Sequence, residues 1–227
     1  MSLELYFHPL ASFCWKALIA LYENDTPFEP VIVDLADQVS AAAFRAVWPM
    51  AKMPALRDTA REQTVAESTI VIDYLDAHYP GPTRLLPIDP DGAWRTRMWD
   101  RVFDHYVHVP MQKIVLDRLR PEGSRHPFGV EEAKTQLREI YPMIERELGP
   151  RRWMMGDAFT LADCAAAPAL FYANIVAPFA KENEALKAYL GRLMARPSFA
   201  RVLQEARPYF GFFPFESDLR ARYPALG

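Results

Sequence analysis

The chain has 227 residues, of which 51% are hydrophobic and 24% charged, and its formal net charge at pH 7 is −3. This length can bury one large core or two modest ones, and the small net charge gives no electrostatic reason to expect a nucleic-acid partner. No apolar run approaches the roughly 20 residues that a membrane-spanning helix needs, the N-terminal residues lack a signal pattern, and two cysteines are too few for a disulfide framework or a zinc site. We therefore expect a cytoplasmic protein with no metal and no membrane partner.

Strand and helix patterns alternate in the first eighty residues. β-branched residues, as in the segment FEPVIVDL, favour strands, and apolar residues at helical spacing favour helices. The predicted elements are a strand at 3–7, a helix at 11–23, a strand at 28–35, a helix at 41–47, strands at 55–57 and 63–65, and a helix at 67–79. This β-α-β-α-β-β-α order predicts an α/β domain with a mixed sheet.

The composition changes at residues 80–90, where the segment PGPTRLLPIDP contains four prolines. Proline interrupts regular structure, so this segment is predicted to be a linker. After it, only helical patterns follow, at residues 92–119, 130–148, 161–179, 184–194 and from 198 onwards. The sequence thus predicts a first domain at 1–80, a linker at 81–90 and an all-α domain at 91–227.

The segment KMPAL lies directly before a predicted strand. If the Met53–Pro54 bond were cis, the main chain of Met53 would be presented like a free strand edge, to which an extended peptide can pair. Most X–Pro bonds are trans, so the motif by itself favours an ordinary turn.

Two helix starts carry polar residues that suit either capping or ligand binding. Glu67 and Ser68 open the helix at 67–79, where acids and hydroxyls stabilise the first turn and where free N–H groups bind anions. Without further information, ordinary capping is favoured. Thr160 and Asp163 form a capping-box pattern, which is structural and makes the neighbouring Cys164 a core residue.

The segment YFHPLASFCWKALIAL places Ser12 and Cys14 at the start of the first helix. Either residue could take part in thiol chemistry, Ser12 as a hydroxyl donor and Cys14 as a thiol. Their structural alternatives are a helix cap for Ser12 and a buried packing residue for Cys14.

Taken together, these segments resemble the cytosolic glutathione transferases. The resemblance rests on YFHPLASFCWKALIAL, KMPAL, AESTIVIDYL, GDAFTLADCAAAPAL and the Arg196–Phe199 turn, in that order along nearly the whole chain. It is closest to bacterial, serine-type or zeta- and theta-like members, with the class open. It implies a thioredoxin-like domain with a four-stranded mixed sheet, an all-helical C-terminal domain, a cis Met53–Pro54 bond, a homodimer and a role in detoxification.

The resemblance also implies a glutathione site. Met53, before Pro54, would pair through its main chain with the cysteinyl part of glutathione. Glu67 and Ser68 would hold the γ-glutamyl end, and Lys52 would meet the glycyl carboxylate. A charge-assisted bond of this kind is worth roughly 1.5–3 kcal/mol.

The family's reaction requires a thiolate, which a hydroxyl at the start of the first helix stabilises. An ungapped alignment places the usual serine or cysteine at Ala11, so the sequence departs from the family pattern here. We favour Ser12 as the thiolate donor and Cys14 as a packed side chain. If Ser12 does not stabilise the thiolate, the sulfur would depend on the backbone N–H groups near Ser12 and Phe13.

The substrate expected beside glutathione is a small hydrophobic electrophile. The predicted pocket residues are Phe103, Tyr106 and Met111 on the long fourth helix and Tyr209 in the aromatic C-terminal segment, although aromatic residues at helical spacing more often form core. Two other functions stay open: a glutathione-dependent thiol-disulfide or dehalogenating enzyme that uses Cys14, and a glutathione-binding dimer without turnover.

Overall fold

The computed structural model describes residues 2–226, which begin with a mixed sheet of four strands and three helices. The strand order is β2-β1-β3-β4, with β1 parallel to β2 and antiparallel to β3, and β3 antiparallel to β4. The elements are β1 (Leu3–Phe7), α1 (Ser12–Glu23), β2 (Glu29–Ile32), α2 (Gln38–Val47), β3 (Ala55–Asp58), β4 (Gln63–Ala66) and α3 (Ser68–His78). This is the predicted thioredoxin-like topology, and the predicted fold class is confirmed.

Helices make up the rest of the described chain. They are α4 (Pro90–Val102), a π-helical segment (Phe103–His108), α5 (Val109–Leu119), α6 (Pro127–Leu148), α7 (Leu161–Val176), α8 (Glu184–Ala195), α9 (Pro197–Ala206) and α10 (Glu216–Arg222), with short 3₁₀ turns at Glu122–Ser124, Arg207–Phe212 and Pro224–Leu226. None of the helices within residues 2–226 combines the length and the apolar character that crossing a bilayer demands. The second unit is therefore all-α, as predicted.

Helix α1 is the element that joins the two halves. It packs on α3 beneath the sheet and also on α7 and α9 of the helical half. Nine of its residues are buried, among them Cys14, Trp15 and Lys16. A helix that is apolar nearly all round must be covered on all sides. The start of α1 consequently lies where the first domain meets the second.

The predicted helix at 92–119 is a continuous helical rod with a change of geometry at its centre. Six residues, Phe103–His108, adopt π-helical hydrogen bonding between α4 and α5. A π-helical turn closes i→i+5 bonds, so it is wider than an α-turn and rotates the side chains that follow it. Such segments are frequent at functional sites.

Helix α7 is buried along its full length and forms the centre of the second core. Its first turn contains the predicted capping box, in which Asp163 Oδ2 accepts from the backbone N–H of Thr160 at 2.9 Å. Cys164 is fully buried beside it. Both predictions for this segment are confirmed.

Candidate active site

A cavity of about 790 Å³ opens between the sheet domain and the helical domain. Its lining comes from four places: the start of α1, the loop after β2, the segment before β3 with the start of α3, and the face formed by α5 and the C-terminal 3₁₀ turn. The predicted residues Ser12, Lys52, Met53, Pro54, Glu67, Ser68 and Met111 all border this one cavity. Residues distant in sequence are thus brought to a single site.

Ser12 is the first residue of α1, and its hydroxyl is turned into the domain boundary. The helix N-cap is Ala11, whose methyl side chain cannot accept a hydrogen bond, so the capping role that the sequence allowed for Ser12 is wrong. Ser12 is buried, borders the cavity and is hydrogen-bonded through Oγ to His108 Nε2. The first N–H groups of α1 have no intrahelical acceptor and lie beside it.

His108 was not anticipated from the sequence, because a lone histidine in a helix carries no signal of its partner. It ends the π-helical segment, is fully buried, and stacks on Phe13 with ring centroids 3.8 Å apart. Burial lowers the pKa of His108 to about 3, and the positive charge of Lys16 acts in the same direction. The imidazole is therefore neutral at physiological pH.

The segment before β3 borders the cavity through residues 51–54. The Met53–Pro54 bond is cis, as the family resemblance implied. Met53 is half-buried and Pro54 is buried, while the ammonium-bearing side chain of Lys52 is exposed beside them. An exposed cation next to a strand entrance suits a ligand that carries a terminal carboxylate.

The start of α3 is built to receive an anion. Glu67 is its N-cap but makes no side-chain capping bond, so the ordinary capping role favoured from the sequence is wrong. Glu67 adopts φ 65°, a backbone conformation that costs a non-glycine residue roughly 1–3 kcal/mol and is concentrated at ligand sites. Ser68 is buried in the first turn, where free N–H groups and the helix dipole favour a carboxylate.

The opposite wall of the cavity is apolar. It consists of Met111, Val115, Leu116 and Leu119 on α5, and of Phe212, Phe213 and Pro214 near the C-terminus. Leu116, Leu119 and Phe212 are each more than half exposed, which is unusual for large apolar side chains unless they form a binding surface. The wall therefore offers an apolar surface facing the polar end of the same cavity.

Three predicted pocket residues lie elsewhere. Phe103 is fully buried in the core, and Tyr106 is 60% exposed outside the cavity lining. Tyr209 does not border the cavity, although its ring meets that of His8, which does. For Phe103 and Tyr106 the cause is the π-helical segment, whose wide turns place residues three apart on different faces, whereas Tyr209 lies in the separate 3₁₀ turn Arg207–Phe212.

Comparison with known proteins decides the family. A family model described as "Glutathione S-transferase, N-terminal domain" matches residues 5–83, and one described as "Glutathione S-transferase, C-terminal domain" matches residues 115–197. The chain belongs to the glutathione S-transferase family. It is a transferase enzyme of that family, and the predicted resemblance is confirmed.

Individual relatives agree with this assignment. The transferase is 28% identical over 211 residues to Glutathione S-transferase F13 of Arabidopsis thaliana, covering 89% of this chain and 95% of that one. It is 30% identical over 209 residues to Glutathione S-transferase 3 of Zea mays, covering 88% and 93%. A solved glutathione S-transferase of Methylobacterium radiotolerans, in complex with glutathione sulfonate, superposes with a TM-score of 0.76 at 30% identity, covering 88% and 93%.

Behind the start of α3, the transferase has a buried ionic cluster that sequence patterns did not reveal. Lys16 Nζ lies 2.5 Å from Asp100 Oδ1, 2.8 Å from Asp104 Oδ2 and 2.8 Å from Thr69 Oγ1. Thr69 donates to Asp100, and Arg101 pairs with both carboxylates from the exposed side. Because two cations face two carboxylates, the cluster is neutral overall and ties α1, α3 and α4 together.

Neither Cys14 nor Cys164 borders the cavity, and both are fully buried. Cys14 lies one turn into α1 and is fully buried, which confirms that it packs in the core. Burial raises the pKa of its thiol to about 12. A thiol in this state has almost no thiolate at neutral pH and is a poor nucleophile.

Proposed function

We propose that this transferase joins the thiolate sulfur of glutathione to small hydrophobic electrophiles, with Ser12 as the residue that stabilises the thiolate. The observation that carries the proposal is one cavity that is lined by Ser12, by the charged residues Lys52 and Glu67, and by an apolar wall. Glutathione supplies the nucleophile, and the apolar wall receives its reaction partner.

The polar end supports the orientation of the tripeptide. Lys52 provides a cation for the glycyl carboxylate, and the start of α3 at Ser68 provides N–H donors for the γ-glutamyl carboxylate. The exposed carboxylate of Glu67 lies beside the same helix start and matches the γ-glutamyl ammonium. With both ends held, the sulfur falls beside the start of α1.

The chemical step follows from this placement. On binding, the thiol proton is released to solvent because the anion is stabilised by the Ser12 hydroxyl and the free N–H groups of α1. The sulfur lone pair then forms a bond to the electrophilic carbon. The leaving group departs with its bonding electrons, or an activated double bond takes them up with a proton from water. Ser12 keeps its proton throughout and is not consumed.

The buried state of Cys14 favours this proposal over a cysteine-based exchange reaction. A mixed disulfide with glutathione would require the Cys14 sulfur to reach solvent, but the side chain is fully covered and its pKa is raised. Ser12, in contrast, borders the cavity.

An ultraviolet difference titration of bound glutathione tests the assignment. We expect a thiolate band near neutral pH in the wild type, a weaker band in Ser12→Ala, and an unchanged band in the matched core variant Cys14→Ala. Loss of the band only in Cys14→Ala would indicate the exchange chemistry instead. Saturable glutathione binding without a band or turnover in the wild type would indicate a binding protein.

We also propose that two copies of the transferase form a homodimer through α3 and α4. Large apolar side chains are exposed there, Ile70 on α3 and Trp94 and Met98 on α4, and an ion pair from Arg97 to Asp73 at 3.2 Å holds these helices side by side. Light scattering is expected to give a dimer mass for the wild type and a monomer mass for Met98→Lys. A wild-type monomer at micromolar concentration would refute the proposal.

A further inference from the structure

Two polar pairs join α1 to the π-helical segment across the boundary between the domains. Ser12 and Lys16 are one turn apart on α1, and Asp104 and His108 are one turn apart on the segment. Ser12 contacts His108, and Lys16 contacts Asp104. The two elements therefore meet in a fixed register, which holds the ring of His108 against the Ser12 hydroxyl at the cavity.

The imidazole of His108 is not equipped to take a proton from a thiol. It is fully buried, and it is covered on one face by the ring of Phe13. Lys16, which belongs to the same pair of elements, adds a positive charge that opposes formation of an imidazolium. The ring consequently stays neutral and carries one proton, on either Nδ1 or Nε2.

The surroundings distinguish between these two tautomers. Nδ1 of His108 is buried and has no hydrogen-bond partner in the described part of the chain, whereas Nε2 contacts Ser12 Oγ. A proton on Nδ1 would leave a buried N–H donor without an acceptor, which folded proteins tolerate less well than an unpaired acceptor. The favoured form therefore has its proton on Nε2, pointing at Ser12.

We propose that His108 is a positioning residue that donates a hydrogen bond from Nε2 to Ser12 Oγ and thereby leaves the Ser12 hydroxyl proton free for the glutathione sulfur. In the other tautomer, the Ser12 hydroxyl would donate its hydrogen bond to Nε2 of His108 and could not donate one to the thiolate. A hydroxyl that accepts a hydrogen bond is also polarised and becomes a stronger donor itself. The inference rests on the proposed role of Ser12 and explains how a buried serine can still serve the cavity.

Nuclear magnetic resonance on the unmodified protein tests the tautomer directly. Long-range ¹H–¹⁵N spectra of protein labelled with ¹⁵N-histidine separate the two ring forms, and His108→Gln identifies its signals among the five histidines. We expect the Nε2–H form for His108, with no change to an imidazolium between pH 5 and 8. Observation of the Nδ1–H form would overturn the proposal without any need for a variant to fold.

A second experiment measures the pKa of the thiol of bound glutathione in variants at position 108. His108→Phe can preserve the stacking on Phe13 but donates no hydrogen bond, and we expect it to raise the bound thiol pKa by roughly half to one unit. His108→Gln keeps an N–H donor at a similar distance from the backbone, and we expect it to restore most of the wild-type value. Equal shifts in both variants would contradict a hydrogen-bonding role.

A double-variant comparison shows whether His108 acts through Ser12. In the Ser12→Ala background, His108→Phe is expected to cause no further shift, because the hydroxyl that it orients is absent. A shift of the same size in both backgrounds would overturn the inference. A wild type with no thiolate band would refute the proposed function itself, so the two failures can be told apart.

Discussion

Replacing Lys16 with methionine is expected to destabilise the transferase strongly. Lys16 is fully buried and contacts Asp100 and Asp104, which are buried themselves. Methionine fills a similar volume but carries no charge. The carboxylates of Asp100 and Asp104 would then have Arg101 as their one remaining cationic partner in the cluster, and its side chain is 46% exposed. Breaking one partner out of a buried pair costs roughly 3–5 kcal/mol, because the charge left behind is uncompensated.

This cost can be converted into a melting temperature. With an unfolding entropy of about 2.1 cal/mol/K per residue, 227 residues give about 0.48 kcal/mol/K, so Lys16→Met should lower Tm by about 6–10 °C. The matched control is Lys113→Met, which removes a surface pair to Glu132 at 3.4 Å in which both side chains are nearly half exposed. An exposed pair of this kind contributes at most about 1 kcal/mol, or about 2 °C.

The pH dependence of the stability lost in Lys16→Met gives a second measurement. Burial raises the pKa of Asp104 while the charge of Lys16 opposes that rise, so removing Lys16 raises the Asp104 pKa further. A carboxyl whose pKa is raised in the folded state binds protons more readily there than in the unfolded state. The stability of the fold therefore falls as the pH increases through the folded-state pKa, because the buried carboxyl becomes charged. The deficit of Lys16→Met should therefore be larger at pH 8 than at pH 5.5.

The assay is thermal and urea unfolding at one fixed protein concentration, because the stability of an oligomer depends on concentration. Adding Asp104→Asn to Lys16→Met should recover part of the lost stability, since it removes one of the two buried carboxylates that Lys16 no longer neutralises. A Tm for Lys16→Met within 2 °C of the control, or a deficit that does not change with pH, would refute the electrostatic account.

Three further predictions concern the cavity and the thiols. Lys52→Met should weaken glutathione binding by roughly 10- to 150-fold in calorimetry, the loss of one charge-assisted bond, and an unchanged affinity would exclude contact with the glycyl carboxylate. Leu116→Ser should lower kcat/KM for apolar electrophiles by roughly tenfold while leaving the glutathione affinity unchanged, because it alters only the apolar wall; equal losses for polar and apolar electrophiles would argue against that wall. Cys14 and Cys164 are both fully buried, so a thiol reagent should label the native protein only at the rate of unfolding and both residues at once in urea. Rapid labelling of either cysteine in the native state would contradict the packing.

The polar end of the cavity was predictable because its residues lie in short local motifs. Lys52, Met53 and Pro54 precede a strand, and Glu67 and Ser68 open a helix, so adjacency in sequence already places each set at one point of the fold. The structure brings the two sets to the same cavity. The roles of these residues toward glutathione remain predictions that the variants above test.

The partner of Ser12 and most of the α5 part of the apolar wall were not predictable in this way, although Met111 was predicted and does border the cavity. Phe103 and Tyr106 were expected on this wall, but they lie in the π-helical segment and do not border the cavity, where Val115, Leu116 and Leu119 accompany Met111. A pattern of apolar residues does not predict a π-helical segment within a longer helix.

The sequence by itself determined the order of strands and helices and the two-part fold class, because hydrophobic periodicity, prolines and caps act over a few neighbouring residues, while the family was suggested by the resemblance of its motifs. Only the tertiary structure decided that Ser12 meets His108, 96 positions away, and that Lys16 is neutralised by carboxylates on another helix. Those contacts depend on how α1 docks against the helical domain, and docking is set by the packing of whole surfaces. The surroundings of the Ser12 hydroxyl are therefore set by the interface between the two domains.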